Sequence, residues 1–355
     1  MADGAVMEIV SVPEAIEWQA RHAENAGAPG TAMVVRALLA LEGSDAATAR
    51  RIFAWQGLSL RDAMPLRIAG GIHNLLLTGE EPRLADVYAG RVASQADVDA
   101  LLLEIVEAHD ARLMPWLDGS PQTNEAGRSA SFAAALLWLA DGRTTPRFEF
   151  LEIGASAGIN TMMGRYHYDL GGVETGPSAS RMRIAPEWRG NPPPATAIEF
   201  ADARGSDIAP VDLSEEAEAL RLKSYVWPEA TGRMARIDAA IALAKQMPPE
   251  IERMDAGDWV EQELAREQEA GVTRVLAHSI MWQYLPDATQ ARIEAAMQEA
   301  DARADADHPF AHVSLETNRE TFAHELKVRY WPGGESQVHL ANAHPHGAWV
   351  EWLPA

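Results

Sequence analysis

The chain has no cysteine. That excludes disulfides, thiolate zinc sites and a cysteine nucleophile, and it fits a reducing, cytoplasmic setting. Basic residues are scarce: 30 Lys and Arg stand against 52 Asp and Glu, a net charge of −22. A surface of that sign repels phosphate backbones and anionic lipid, so nucleic acid and membrane are poor partners and a small molecule is the expected one. No apolar run is long enough to span a bilayer. The first fifteen residues carry Asp3 and Glu8 without a basic stretch, so no secretory signal is read there. Alternating strand patterns are missing from residues 1–145.

What that first part does contain is helical periodicity. Apolar residues recur at three- and four-residue spacing over residues 15–26, 31–41, 45–56, 60–78 and 95–117. Ser44, Ser59 and Ser94 stand where N-caps belong, and Gly43, Gly57 and Gly79 where helices stop. Residues 1–145 are therefore expected to form an all-helical N-terminal domain. One polar stretch interrupts it, PQTNEAGR at 121–128, just before an apolar helix at 132–139. Gln122, Asn124, Glu125 and Arg128 either cap that helix, with Thr123 or Asn124 as the cap, or reach over a pocket.

The most informative stretch is FEFLEIGASAGIN at 148–160. Phe148, Phe150, Leu151 and Ile153 suit a strand buried on both faces of a parallel sheet. The small residues 154–158 make a tight turn, and 159–165 can start a helix whose free N–H groups point at a ligand. Three known sites share this shape. The dinucleotide fingerprint needs glycine at the first, third and sixth turn positions, and only Gly154 matches. The hydrolase elbow G-x-S-x-G matches in full, with Ser156 as nucleophile and a later His as base, yet no sheet precedes it. The third is motif I of the class I S-adenosylmethionine-dependent methyltransferases, E/D-x-G-x-G-x-G, which Glu152, Gly154 and Gly158 resemble, with Ser156 in place of the middle glycine.

That resemblance implies an α/β fold, a Rossmann-like doubly wound sheet over residues 146–355, with S-adenosylmethionine as cofactor. It implies that Glu152, Gly154, Ala155, Ser156 and Gly158 border the cofactor, the acid near its amino group. A second strand is read at 197–203, after an inserted loop with a short hairpin at about 166–196. Asp207, in GSDIAP, resembles the acid that takes the ribose hydroxyls; as a plain reading it is a turn residue. A third strand near 250–254 leads to Asp255 and Asp258, which compete for the adenine amine or cap a helix at 260–268. The strand at 272–276 brings His278 to a carboxyl end, either as general base or as a histidine bonded to backbone, with Trp282 and Tyr284 beyond it as an apolar wall. Phe310 opens a fifth strand that ends at Glu316, and residues 326–331 and 337–342 read as a hairpin. One strand of this C-terminal pair is expected to run antiparallel to the rest.

His308, His312, His344 and His346 invite a metal, but neither pair has a third ligand in sequence, so none is expected. QTNEAGR, LEIGASAGIN, GSDIAPVDL, VWPEATGR, AHSIMWQYL, YWPGG and HPHGAWVEW, in this order, resemble a bacterial domain-of-unknown-function family. The expected function is methyl transfer to a small molecule, with His278 catalytic, Glu125, Arg128, Trp282 and Tyr284 on the substrate, and the helical domain as a lid. The alternatives are the serine hydrolase and a non-catalytic ligand-binding protein on the same fold.

Overall fold

The computed structural model describes residues 11–57 and 62–354. The Ser59 cap, the start of the helix at 60–78 and the acidic first residues lie outside them. The chain divides into a helical unit, running up to Thr123 and including Glu215–Ala235, and a sheet unit made of Asn124–Ser214 and Arg236–Ala355.

The helical unit contains α1 (Val12–Asn25), α2 (Pro29–Ala37), α3 (Ala47–Phe53), α4 (Met64–Leu77), α5 (Leu84–Tyr88), α6 (Gln95–Ala108) and α7 (Asp110–Leu113). Their apolar faces meet in one core that includes Ile16, Leu38, Ile52, Ile68, Leu102 and Ile105. Ser94 caps α6 through the amide of Asp97. The Ser44 hydroxyl accepts from Ala46 N and donates to Glu107 Oε1, while the amides of Ala47 and Thr48 are capped by Asp110, 2.7 Å from each. This long-range cap also explains why the helix expected at 95–117 breaks at His109: Asp110 turns away to serve α3.

The sheet unit begins earlier than the sequence suggests. Its first helix, α8 (Ser129–Ala140), is buried on nearly every side, so it belongs to a core and not to a surface layer. Its Phe132 meets Phe150 edge-on, with centroids 5.7 Å apart. Phe150 belongs to β1 (Arg147–Ile153), and the residues between, Leu151 and Ile153, face an opposite core. That core comes from α10 (Ala256–Ala265) and α11 (Asp287–Asp301); α9 (Thr231–Gln246) precedes both in the chain. With apolar layers on both faces, β1 carries apolar side chains on both, Phe148 and Phe150 on one and Leu151 and Ile153 on the other, as a strand in a parallel sheet does.

The remaining strands are β2 (His167–Leu170), β3 (Val173–Thr175), β4 (Arg183–Ile184), β5 (Glu187–Arg189), β6 (Glu199–Asp207), β7 (Glu250–Arg253), β8 (Thr273–Ser279), β9 (Phe310–Thr317), β10 (His324–Trp331), β11 (Gly334–Ala343) and β12 (Trp349–Trp352). They form a mixed nine-stranded sheet in the order β5-β12-β11-β10-β9-β8-β1-β6-β7, and a small sheet β3-β2-β4. β7, β6, β1, β8 and β9 are mutually parallel. Within this block the chain first builds outward from β1 to β6 and β7, then returns to lay β8 on its other side. The reversal between β1 and β8 is the switch point of a doubly wound sheet, where a crevice opens beyond the carboxyl ends. β10 runs antiparallel to β9, as expected for one strand of the hairpin, and β12 runs antiparallel to β11.

Two local readings are corrected. The helix expected at 159–165 is a short 3-10 turn, Asn160–Arg165, and the chain then becomes strand at once. Tyr166 explains the stop: it is extended, fully buried, and its hydroxyl donates to Ile159 O at 2.5 Å, closing the turn on itself. The insertion at 166–196 is more than a hairpin, because β5 leaves the small sheet and joins the main one beside β12.

Candidate functional site at the carboxyl edge

The loop after β1 is held in an unusual backbone shape. Gly154, Ser156 and Gly158 all have positive φ, 64°, 53° and 67°. Ser156 is the residue without glycine's freedom, and strain of this kind collects at functional sites. The loop amides are already engaged. Ala155 N donates to Ser206 O at 3.0 Å and Ser156 N to Asp207 Oδ2 at 2.9 Å. Gly158 N donates to Ala155 O at 2.8 Å and Ile159 N to Asn124 Oδ1 at 2.9 Å. The expectation of free N–H groups aimed at a ligand is therefore corrected for Ala155, Ser156, Gly158 and Ile159, whose N–H groups are bonded inside the protein.

What the loop leaves over is acceptors. Glu152 is 1% exposed. Its Oε1 accepts from Asn160 Nδ2 at 2.7 Å, while its Oε2 has no partner among the described residues. Asn160 Oδ1 and the Ser156 and Ser206 hydroxyls are likewise buried and unpartnered there. Native proteins seldom bury such atoms unsatisfied, so the cluster calls for a partner from outside the chain, whether water or ligand. Burial pushes the Glu152 carboxyl up to about 8, against the Asn160 bond and the nearby Arg128, while Asp207 adds to the rise.

Gly154 contributes space, and Met281 takes it: a Cβ on Gly154 would lie 2.9 Å from Met281 Cγ and Cε. The segment after β8 thus lies against the loop after β1. Ile280, just before Met281, has φ 51°, a strained value for a β-branched residue.

The polar stretch before α8 also arrives here. Asn124 caps the loop through Ile159 N, and Arg128, 7% exposed, acts electrostatically on Glu152 while its Nε donates to Pro345 O at 2.8 Å. Glu125 plays a different part from the one expected. It is 4% exposed, caps the 3-10 turn at Gly127 N, and accepts from Arg236 Nε at 3.0 Å. It is committed to holding Arg236 and is not offered to a substrate.

His278 is corrected as well. It is 2% exposed and both ring nitrogens are occupied. Arg329 can only donate, and its Nη2 meets His312 Nδ1 at 3.4 Å. His312 must then carry its proton on Nε2 and donate to His278 Nε2 at 3.0 Å, and His278 donates from Nδ1 to Glu316 Oε1 at 2.7 Å. Burial, His278 and Arg329 hold His312 well below the usual histidine range, which agrees with its neutral place in this chain. His278 therefore has no free nitrogen with which to act as a base. Trp282 stacks on it at 4.9 Å, and Tyr284 projects into solvent, 76% exposed.

Asp207 sits at the end of β6 as expected, with Oδ2 on Ser156 N and Oδ1 on Ala209 N at 2.8 Å. Asp255 is the N-cap of α10, accepting from Gly257 N and Asp258 N, and this cap starts the helix at 256. Asp258 pairs with Arg292 at 2.6 Å on the exposed side of that helix. Neither acid points to an adenine. Ser156 Oγ meets no histidine, so the serine–histidine pairing of a hydrolase is not assembled. Among the described residues no three His, Asp or Glu side chains could hold a metal ion, and no helix is long and apolar enough to cross a membrane.

Sequence reasoning missed Asn124, Asn160, Glu316, His312 and Arg329 as site residues. Glu316 had a usable signal, an acid at the carboxyl end of a parallel strand next to the one that carries His278. No curated protein and no solved structure gives a significant match. Residues 13–352 match the family described as "Uncharacterized protein conserved in bacteria (DUF2332)", and the chain belongs to that family.

Proposed function

We propose that the protein is an S-adenosylmethionine-dependent methyltransferase acting on a small molecule. The observation that carries this reading is the pair of buried leftover acceptors, Glu152 Oε2 and Asn160 Oδ1, beside a glycine loop in which the amides of Ala155, Ser156 and Gly158 are bonded inside the protein. Such a site suits a ligand that brings a cationic donor and no phosphate. S-adenosylmethionine has an ammonium group and a sulfonium and lacks phosphate, whereas a dinucleotide would need the amides this loop has spent.

The residues fit the cofactor at two places. Glu152 and Asn160 would take its ammonium group, and Asp207, whose oxygens each retain a lone pair beyond their amide bonds, would take the ribose hydroxyls. When bound, the cofactor supplies an electrophilic methyl carbon on positively charged sulfur. The protein's own work is alignment of an acceptor in line with that carbon, which needs a positioned cleft more than a strong base. The committed nitrogens of His278 agree with such a mechanism. The switch point of the sheet, between β1 and β8, supports the same placement.

Calorimetry on one purified sample with S-adenosylmethionine, its demethylated product and NAD tests the reading. Binding of the first two and not of NAD is expected. Absence of heat for both sulfur compounds overturns it.

A further inference from the structure

Beyond the glycine loop, the same edge carries a second carboxylate that is built differently. Glu316 Oε1 accepts three bonds: His278 Nδ1 at 2.7 Å, Met281 N at 3.0 Å and Trp282 N at 3.2 Å. Its Oε2 accepts none among the described residues, and the side chain is 21% exposed. Burial pushes this carboxyl up, but the bond from His278 and the two amides outweigh it and hold Glu316 below the usual carboxylate range. It stays ionised where Glu152 holds its proton. His324, bonded to Thr317 Oγ1 at 2.9 Å, is held below the usual histidine range by burial, Arg128 and His344, so near neutral pH it brings no cation to neutralise Glu316.

The aromatic surroundings add a second, independent observation. Trp282 is half-buried against His278, and Tyr284 and Phe322 are 76% and 47% exposed. All three lie on the segments that leave β8 and β9, the strands that carry His278 and Glu316. Aromatics on the two segments that leave these strands, with Trp282 beside the ionised carboxylate through its amide, suit a ligand with a cationic head and an apolar body, since the rings attract cations as well as apolar groups. A net charge of −22 also raises the local concentration of cations over anions.

We propose that Glu316 is the substrate-binding carboxylate of this edge, taking the N–H of an amine through Oε2 while Trp282, Tyr284 and Phe322 take the amine's apolar body. His278, His312 and Arg329 are its positioning residues: they fix which oxygen is tied down and which is presented. That this amine is the methyl acceptor rests on the proposed methyl transfer and requires the bound ammonium first to give a proton to the Glu316 carboxylate, which frees the nitrogen lone pair; the binding itself does neither.

Three probes of one shape separate the head groups: benzylamine, benzyl alcohol and benzoate, titrated into the full chain and followed by ligand-observed NMR and calorimetry. Benzylamine is expected to bind and benzoate not. Glu316→Gln should weaken benzylamine about tenfold or more, the scale of one lost hydrogen bond to a charged group. His312→Asn should weaken it less and blur the preference for amine over alcohol, which loss of packing alone would not do. If Glu316→Gln does not fold, the exposed Tyr284→Ala serves, with a drop of about threefold expected from lost ring contact. Equal binding of benzoate and benzylamine, no binding of any probe, or an unchanged benzylamine affinity in a folded Glu316→Gln overturns the proposal. Running S-adenosylmethionine on the same samples keeps the two ideas apart. Amine binding that follows Glu316 without cofactor binding sinks methyl transfer alone, and cofactor binding without amine selectivity sinks the amine site alone.

Discussion

Asn160 donates to Glu152 Oε1 at 2.7 Å, yet its own carbonyl oxygen and Glu152 Oε2 are both left buried without a donor. Among the described residues the fold itself supplies neither oxygen with an N–H group. With the folded pKa raised to about 8 by burial, the native state keeps a proton that the unfolded chain has already released. Stability should therefore fall as pH rises from the ordinary carboxylate value through about 8. Glu152→Gln should flatten this slope, by an amount on the order of a few kcal/mol at the alkaline end. Urea melts of both proteins across that window check it, and parallel slopes would refute it. A cationic ligand should also expel the proton, so its calorimetric heat near neutral pH should depend on the ionisation enthalpy of the buffer.

Met281 and Gly154 make a second test. Gly154→Ala meets Met281 and places a side chain at φ 64°, so a loss of about 2–4 kcal/mol is expected from overpacking and left-handed strain together. Adding Met281→Ala should return the overpacking share and leave the strain. Additive losses in the double variant, measured by denaturant unfolding, would show that the two residues do not share this space.

At the amino ends of the strands, Arg204 joins Glu149 and Glu263, each at 2.6 Å, and Arg274 joins Glu149 at 2.5 Å. Glu263 has only 3% of its side chain exposed. Arg204→Met takes one cation from each of these acids, Glu149 keeping Arg274 and Glu263 keeping Arg266, and should cost about 1.5–3 kcal/mol, the scale of a lost hydrogen bond to a charged group. Arg292→Ala, which breaks a surface cluster of acids on α10, should change stability little. Similar losses from both would mean that burial does not set the scale here.

In the helical unit, His73 is tied to Ser224 O at 3.0 Å, and burial lowers its pKa to about 4. Its folded pKa lies below the unfolded value, so the stability it contributes is present above the ordinary histidine range and is lost as pH falls toward about 4. The loss should reach a few kcal/mol at most. His73→Gln should weaken the pH dependence of thermal unfolding in this window, and an unaltered dependence would place the acid sensitivity elsewhere.

Much of the fold was legible because its causes are local. β1 announces itself by apolar residues on both faces, Ser94 by its place before α6, and the hairpin of β10 and β11 by the turn between them. Strand ends that carry acids or histidines, Asp207 and His278, could be named as edge residues because a parallel sheet puts its functional groups there.

Roles could not be read the same way. Asp110 caps α3 from far along the chain, Glu125 turns inward to Arg236, and Asp207 spends an oxygen on Ser156 N. His278 loses its free nitrogen to His312, a neighbour supplied by the adjacent strand β9. In each case the residue type was right for chemistry, and the partner decided whether that chemistry was available. Periodicity and turn residues fix elements because they act within a few positions of the chain. Register and packing fix partners, because a hydrogen bond goes to whichever group the assembled sheet brings within about 3 Å.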